Sequence, residues 1–474
     1  MNDIKLSEVF DTKEDKNQFM RDAFSYMNKQ PSLAMNEQLD RSTFKQSVFG
    51  LLKEKLKTIN ERYLIAAVSW LERESKEIDE MRRELMYISD NCKIKLKNQQ
   101  ESVFDKIAER YCDLEKIKSL SKNYYPLVNK EEHIPTMITF NDEFAKTIET
   151  PEFDIFSLES QVGQEHTLSV IGCYIFTTCG LYSLIQYKKF EEFVKEITKG
   201  YIRANPYHND LHAADVTQTC FSYMKKTKLK SFLKLNDIDM SSVFLSCIVH
   251  DYKHPGYTNN LLANINNKIA IRYNDTNILE SYHVSQTFKL IHSNEKFNIF
   301  HLLSKEDYRT IRKRMIGFVL ATDMIFHFKQ FNYLKQKIST YSIEKGNNRN
   351  KIVENADNLN TLQQELLEIL IHACDISNPT KPYKIYNIWA TKVVSEFWRQ
   401  GDKEKSLGLP VSMNCDRETT TIAKCQIGFM NGIVAPFFGS IGEIFPELQF
   451  LVDNVNNNAS IYRKIREEEE SKAK

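Results

Sequence analysis

"SSVFLSCIVHDYKHPG" (residues 241–256) is an apolar run that ends in a histidine and an aspartate side by side. Its length and composition read as a buried helix delivering His250 and Asp251 at its tip. An ionised carboxylate is costly in such a place unless a cation or several donors compensate it. "LLEILIHACDISNP" (366–379) repeats the arrangement, with Asp375 just ahead of Pro379. Two apolar helices thus each terminate in a carboxylate, and a shared cation is the economical explanation. With only 14 glycines and 11 prolines in 474 residues, and few alternating Val-rich runs, the fold class is all-α.

Working outward, the bulk properties exclude several classes. A net charge of +1 supplies no summed field for nucleic acid or an anionic membrane, so an anionic ligand must be attracted locally. The nine cysteines include no C-x-x-C pair, which argues against a disulfide framework and a thiolate zinc cluster and for a reducing compartment. "MNDIKLSEVF" at the N-terminus has no basic region followed by an apolar run, and the expected location is cytoplasmic. One uncharged stretch, "TLSVIGCYIFTTCGLYSLIQY" (167–187), has the length of a membrane span. Its internal Thr and Gln residues, and the amphipathic "KKFEEFVKEI" that follows, favour a buried core helix instead, and no membrane span is expected.

The chain divides near "NYYPLVNKEEHIPT" (123–136), where prolines interrupt a run of charged helical patterns. Residues 1–130 read as an N-terminal helical region, either dimerising or regulatory, and 131–474 as the catalytic domain. In the first part, Ile78, Met81, Leu85, Ile88 and Cys92 alternate spacings of three and four. Two heptads fit a homodimer-forming helix as well as one packed on its own domain. "EKGNNRNKIVENADNLN" (344–360) reads as a polar surface loop entering the next helix.

Two further stretches combine imidazoles with carboxylates: "YHNDLHAADVTQ" (207–218) and "YNDTNILESYH" (273–283). In the first, histidines four apart on one helix face suit a metal site, an acid/base pair or two solvated side chains. Nitrogen and oxygen donors without sulfur suit zinc in a catalytic site that keeps open positions. The residue after the first histidine is Asn209, whereas the metalloprotease helix H-E-x-x-H needs a glutamate there, so peptide hydrolysis by that route is excluded.

Taken in order, "YHNDLHAADVTQ", "HDYKHPGYTNN", "LATDM" (320–324), "CDISNPTKP" (374–382) and "CQIGF" (425–429) resemble the class I cyclic-nucleotide phosphodiesterases, over roughly residues 151–466. The resemblance implies a compact multi-helix catalytic domain with an HD-type metal site. The reaction it implies is hydrolysis of a 3′,5′-cyclic nucleotide, cAMP and/or cGMP, to the 5′-monophosphate by a metal-bridged hydroxide. His212, His250, Asp251 and Asp375 would hold the tighter cation, Zn2+. Asp251 would bridge to Mg2+ or Mn2+, with His254, Glu280 and Thr322 holding that ion's waters. His208 would be the proton donor, oriented and kept protonated by Glu396.

The same resemblance assigns Gln426 to the purine edge and Phe429 to its face, a pairing that i, i+3 spacing on a helix allows. Val393 would be the opposing jaw, Tyr386 would fix the amide, and Tyr207 and Asn378 would join the substrate site. Because an amide offers both a donor and an acceptor, Gln426 reads adenine or guanine. Asn378 before Pro379 resembles several cAMP-selective members and also a cGMP-selective branch. Asp215, not needed by the metal count, is expected to be a structural carboxylate supporting its helix. Lys253 and Tyr282 depart from the family pattern beside these motifs. The rival readings are a nucleotidase built on the same His/Asp pair, which has no use for a purine clamp, and a cyclic-nucleotide-binding regulatory protein, which would lack a ligand or the acid.

Overall fold

The computed structural model describes residues 147–472. The N-terminal region 1–130, with its heptad-like Ile78–Cys92 pattern and the proposed boundary at 130, lies outside them. Thirteen helices of eight residues or more succeed one another among the described residues. They are α1 (Ile155–Val162), α2 (Gln164–Thr178), α3 (Tyr187–Gly200), α4 (Asp210–Lys226), α5 (Asp237–Val249), α6 (Ile278–Ser293), α7 (Lys305–Leu320), α8 (His327–Tyr341), α9 (Leu359–Asp375), α10 (Tyr383–Ser406), α11 (Ile422–Phe429), α12 (Ala435–Ile444) and α13 (Gln449–Lys472). Among these residues the single extended pairing is an isolated bridge between Glu344 and Asn347. The all-α expectation holds.

Side chains set many of the helix starts. Asp154, Asn209, Ser304, Asn358 and Thr421 accept first-turn N–H groups of α1, α4, α7, α9 and α11, and Asn236 forms a reciprocal capping box with Asp239 on α5. Each such cap is worth about 1 kcal/mol and, more usefully here, fixes the register of the residues behind it.

At the centre lies α4, buried on every side from Asp210 to Met224 and packed against α2, α5 and α9. A helix enclosed all round must find partners for its polar groups within the protein. Asp210 accepts from Gln164 Nε2 (2.8 Å) and Arg203 Nε (3.1 Å). Gln218 Nε2 donates to the carbonyls of Ile148 and Thr150, both at 2.8 Å. Helices α5 and α9 pack on α4, on each other and on α7, which brings their C-terminal ends to the N-terminal turn of α4.

Two expectations change on folding, and a second segment of span length comes to light. The uncharged stretch 167–187 is not one helix: α2 ends at Thr178, Gly180 adopts φ 70°, and α3 starts at Tyr187. Its first part does bury Leu168, Ile171, Ile175 and Phe176 as a core helix should. A different run, Ile422–Ile444, is long and apolar enough to cross a membrane by length and composition. It comprises α11, a wider π turn (Met430–Val434) and α12, packs on α13, and carries the buried, hydrogen-bonded Gln426. Finally, His208 and His212 do not share a helix. Asn209, extended at φ −142° and ψ −175°, caps α4, so His208 lies in the preceding loop.

Candidate active site

Where the ends of α5 and α9 meet α4, four ligand atoms converge: one each from His212, His250, Asp251 and Asp375, all within 4.8 Å of one another. His212 Nε2 lies 3.0 Å from Asp375 Oδ1 and 3.6 Å from Asp251 Oδ2. His250 Nε2 lies 3.2 Å from Asp251 Oδ2, 3.3 Å from Asp375 Oδ1 and 3.3 Å from His212 Nε2. Donors about 2.1 Å from a shared ion are separated by about 3.0 Å in an octahedron and about 3.4 Å in a tetrahedron, so the spacings match a cation-sized centre.

Donor chemistry fits as well. His250 Nδ1 donates to Cys247 O at 2.9 Å, which leaves the Nε2 lone pair aimed inward. Two such lone pairs facing each other repel unless a proton or cation lies between them. Both imidazoles are fully buried, whereas the Asp251 and Asp375 side chains retain 13% and 21% exposure, so the cluster faces solvent on its carboxylate side. Burial opposes charge throughout this cluster. Even so, the adjacent histidines hold Asp251 and Asp375 well below the carboxylate range, and the two carboxylates hold His250 well above the histidine range. Such strong mutual stabilisation of charge marks a place built for ions.

Beside the cluster, Glu396 reaches across from α10. Its Oε2 accepts from the backbone N–H groups of Tyr207 (3.0 Å) and His208 (3.1 Å), and its Oε1 pairs with His208 Nδ1. Burial disfavours imidazolium at His208, but the charge and hydrogen bond of Glu396, with help from Asp251 and Asp375, raise its pKa to about 9. The partner carboxylate is pushed up by burial and pulled further down by His208, to about 2. Glu396 thus favours the imidazolium form of His208 and holds the ring by its Nδ1. The ring stacks on His254 at 4.1 Å between centroids.

A second group shares Asp251. His254 and His283 bring ligand atoms within 4.8 Å of the Asp251 carboxylate, with His283 Nε2 3.6 Å from Asp251 Oδ1. Burial holds both imidazoles neutral, His283 at about 4, and His283 Nδ1 donates to Tyr252 O at 2.7 Å. Glu280, one turn before His283 on α6, accepts from Asn259 Nδ2, and burial followed by Asp323 raises its pKa to about 8. Thr322, buried after α7, donates its hydroxyl to Val319 O. His283, the imidazole of the "YNDTNILESYH" stretch, was noted from sequence without a role of its own, and its i, i+3 relation to Glu280 places it on the same helix face. Lys253 adopts φ 65° and sets its ammonium over the Tyr252 ring. Tyr282 stands beside His283, with 6.2 Å between ring centroids.

On the other side, Tyr386 donates its hydroxyl to Gln426 Oε1 at 2.6 Å, so the amide is oriented from behind. Both residues are buried, while Val393 on α10 and Phe429 at the end of α11 stay half-exposed. Asn378 is more committed than the sequence suggested. Its Oδ1 accepts from Tyr207 Oη (2.5 Å) and its Nδ2 donates to Asp215 Oδ2 (3.2 Å). Asp215 Oδ1 in turn pairs at 2.9 Å with Lys381, a fully buried lysine that sequence reasoning passed over.

An all-helical domain with a buried His/Asp cluster able to hold a divalent cation is the class these observations define. Comparison narrows it. The profile of the 3′5′-cyclic nucleotide phosphodiesterase family matches residues 207–455. The probable 3′,5′-cyclic phosphodiesterase pde-1 of Caenorhabditis elegans is 36% identical over 309 residues, covering 65% of this chain and 43% of that protein. The mouse dual specificity calcium/calmodulin-dependent 3′,5′-cyclic nucleotide phosphodiesterase 1B is 35% identical over 316 residues, covering 65% and 55%. Among solved structures, LmjPDEB1 in complex with IBMX superposes with a TM-score of 0.60 at 27% identity, covering 68% of this chain and 93% of that one. The phosphodiesterase domain of the RhoPDE fusion protein from the choanoflagellate Salpingoeca rosetta shares the fold, with a TM-score of 0.61 at 23% identity, covering 69% and 97%. This chain belongs to the 3′5′-cyclic nucleotide phosphodiesterase family. Its match spans about two-fifths to three-fifths of the length of these curated relatives.

Proposed function

We propose that this chain hydrolyses 3′,5′-cyclic nucleotides, cAMP and/or cGMP, to 5′-monophosphates. The observation that carries the reading is the hydrogen-bonded His208–Glu396 pair standing beside the His212, His250, Asp251 and Asp375 cluster. In this reading His212, His250, Asp251 and Asp375 hold Zn2+, and Asp251 also faces Mg2+ or Mn2+, with His254, Glu280 and Thr322 supporting the second ion's waters. When bound, the cations supply a nucleophile from water at neutral pH and neutralise the phosphoryl oxygens.

The remaining steps belong to the chain's own groups. His208 gives its proton to the departing 3′ oxygen, which would otherwise leave as a high-energy alkoxide. Glu396 keeps that proton on the imidazole before transfer and fixes the ring through two backbone N–H groups as well as Nδ1. Gln426 meets the base edge by its Nε2 donor and the remaining Oε1 lone pair, an arrangement open to adenine and guanine. Phe429 and Val393 enclose the base faces.

The test is release of AMP or GMP by the purified chain, abolished by chelator and restored by zinc plus magnesium. Free phosphate in place of monophosphate would refute the reading in favour of a nucleotidase. His208→Ala should lower kcat by about two to four orders of magnitude with metal content intact, and wild-type turnover would remove His208 from its role.

A further inference from the structure

Lys381 follows the Asn378–Thr380 turn and is 2% exposed, with its Nζ 2.9 Å from Asp215 Oδ1 and 3.0 Å from Thr219 Oγ1. A lysine is rarely enclosed this way unless its charge is answered, and here one carboxylate answers it. The pair lies at the end of a continuous hydrogen-bonded chain. Asp215 Oδ2 accepts from Asn378 Nδ2, Asn378 Oδ1 accepts from Tyr207 Oη, and Tyr207 N–H donates to the same Glu396 oxygen that receives His208 N–H. The Tyr207 ring packs 4.6 Å from His212 and 4.8 Å from His208 between centroids.

This chain has a direction. Asp215 Oδ1 receives the Lys381 ammonium and its Oδ2 faces the amide, so Asn378 turns its NH2 toward Asp215 and its carbonyl toward Tyr207. Tyr207 must then donate. The amide cannot flip, and the hydroxyl of the tyrosine beside His208 and His212 has one direction in which to donate.

We propose that Lys381 is a positioning residue for the reaction: by pairing with Asp215 it fixes the Asn378 amide and, through Tyr207, the seat of the proton donor His208. The inference rests on the phosphodiesterase reading above. Lys381 touches neither the ligand set nor the acid and acts through three intervening side chains.

Substituting Lys381 alone strands a buried carboxylate and endangers folding, so the informative variant is the double Lys381→Met, Asp215→Asn. It removes both charges and also the acceptor-only character of position 215. With metal content and melting temperature measured alongside, the expected result is a folded, metal-loaded enzyme whose kcat falls about 10- to 100-fold while KM moves less than about three-fold. Tyr207→Phe, which breaks the chain at its far end, should lower kcat in the wild-type background and change it less than about two-fold in the double variant. Recovery of wild-type kcat in the double variant would overturn the inference, as would additive effects of the two breaks. A double variant that does not fold would overturn it too, by showing that the pair serves stability. If the unsubstituted chain releases no monophosphate, the functional reading fails first, and that result is distinct from all of these.

Discussion

Glu396→Gln isolates the electrostatic link between the acid and its partner without altering shape. One amide oxygen can still accept from the backbone N–H groups of Tyr207 and His208, as Glu396 Oε2 does at 3.0 and 3.1 Å, while the NH2 group replaces the charge that faces Nδ1. The wild-type His208 pKa is about 9 because this carboxylate outweighs burial; without it, only Asp251 and Asp375 still oppose burial and the value falls toward the ordinary histidine 6.5. At pH 8 the protonated fraction then drops from about nine-tenths to about three hundredths, a loss of about 30-fold in kcat, whereas at pH 6 the loss is under about 1.5-fold. The assay is kcat against pH for metal-loaded protein, read as a ratio to wild type. The folded state carries the same signature in chelated protein. The pair's stabilisation is complete below the unfolded His value of 6.5 and above the unfolded Glu value of 4.5. It is lost as pH rises through about 9 or falls through about 2. The melting-temperature gap between wild type and Glu396→Gln should therefore be widest between pH 4.5 and 6.5. A kcat ratio that does not change with pH would refute the reasoning.

Asp375→Ala removes a carboxylate 3.0 Å from His212 Nε2 and 3.3 Å from His250 Nε2 and should empty the centre by elemental analysis; full metal occupancy would exclude it as a ligand. Tyr386→Phe deletes the 2.6 Å hydrogen bond that orients Gln426, so KM for the cyclic nucleotide should rise several-fold, and an unchanged KM would show that the amide is fixed otherwise. Gly401→Ala would place a Cβ 1.9 Å from the Cys415 carbonyl oxygen, forcing α10 from the following loop. It should cost about 1–3 kcal/mol, seen as a lower melting temperature, and an unaltered melt would contradict that contact.

How much of this was legible in the chain depends on how local each cause is. The apolar runs before His250 and Asp375 announced buried helices with carboxylate tips because burial and terminus are both written within one segment. His208 was placed on the wrong element for an equally local reason: histidines four apart look helical, yet Asn209 captures the N–H groups of Leu211 and His212 and starts the helix behind itself. The base-side residues had no such signal. Tyr386 and Gln426 meet across 40 residues, and only the resemblance joined them. Lys381 was invisible, since nothing near it says that a lysine between a threonine and a proline is enclosed by Asp215 and Thr219, more than 160 residues earlier. The expectation of Asp215 as a helix-supporting carboxylate agrees with where it lies, but its partner had to come from the fold.

Enclosure of α4 on all sides has one more consequence. A helix with no free face cannot detach by itself, so its amides exchange with solvent only when the whole domain opens, and His212 shares that fate. Gln426 and Phe429 ride on α11, which follows a surface loop pinned by the Asp402–Arg417 and Lys405–Asp416 ion pairs. Exposed pairs of this kind break and re-form at little cost. The amides of α11 should therefore exchange with solvent sooner than those of α4, so that Gln426 and His212 keep different clocks.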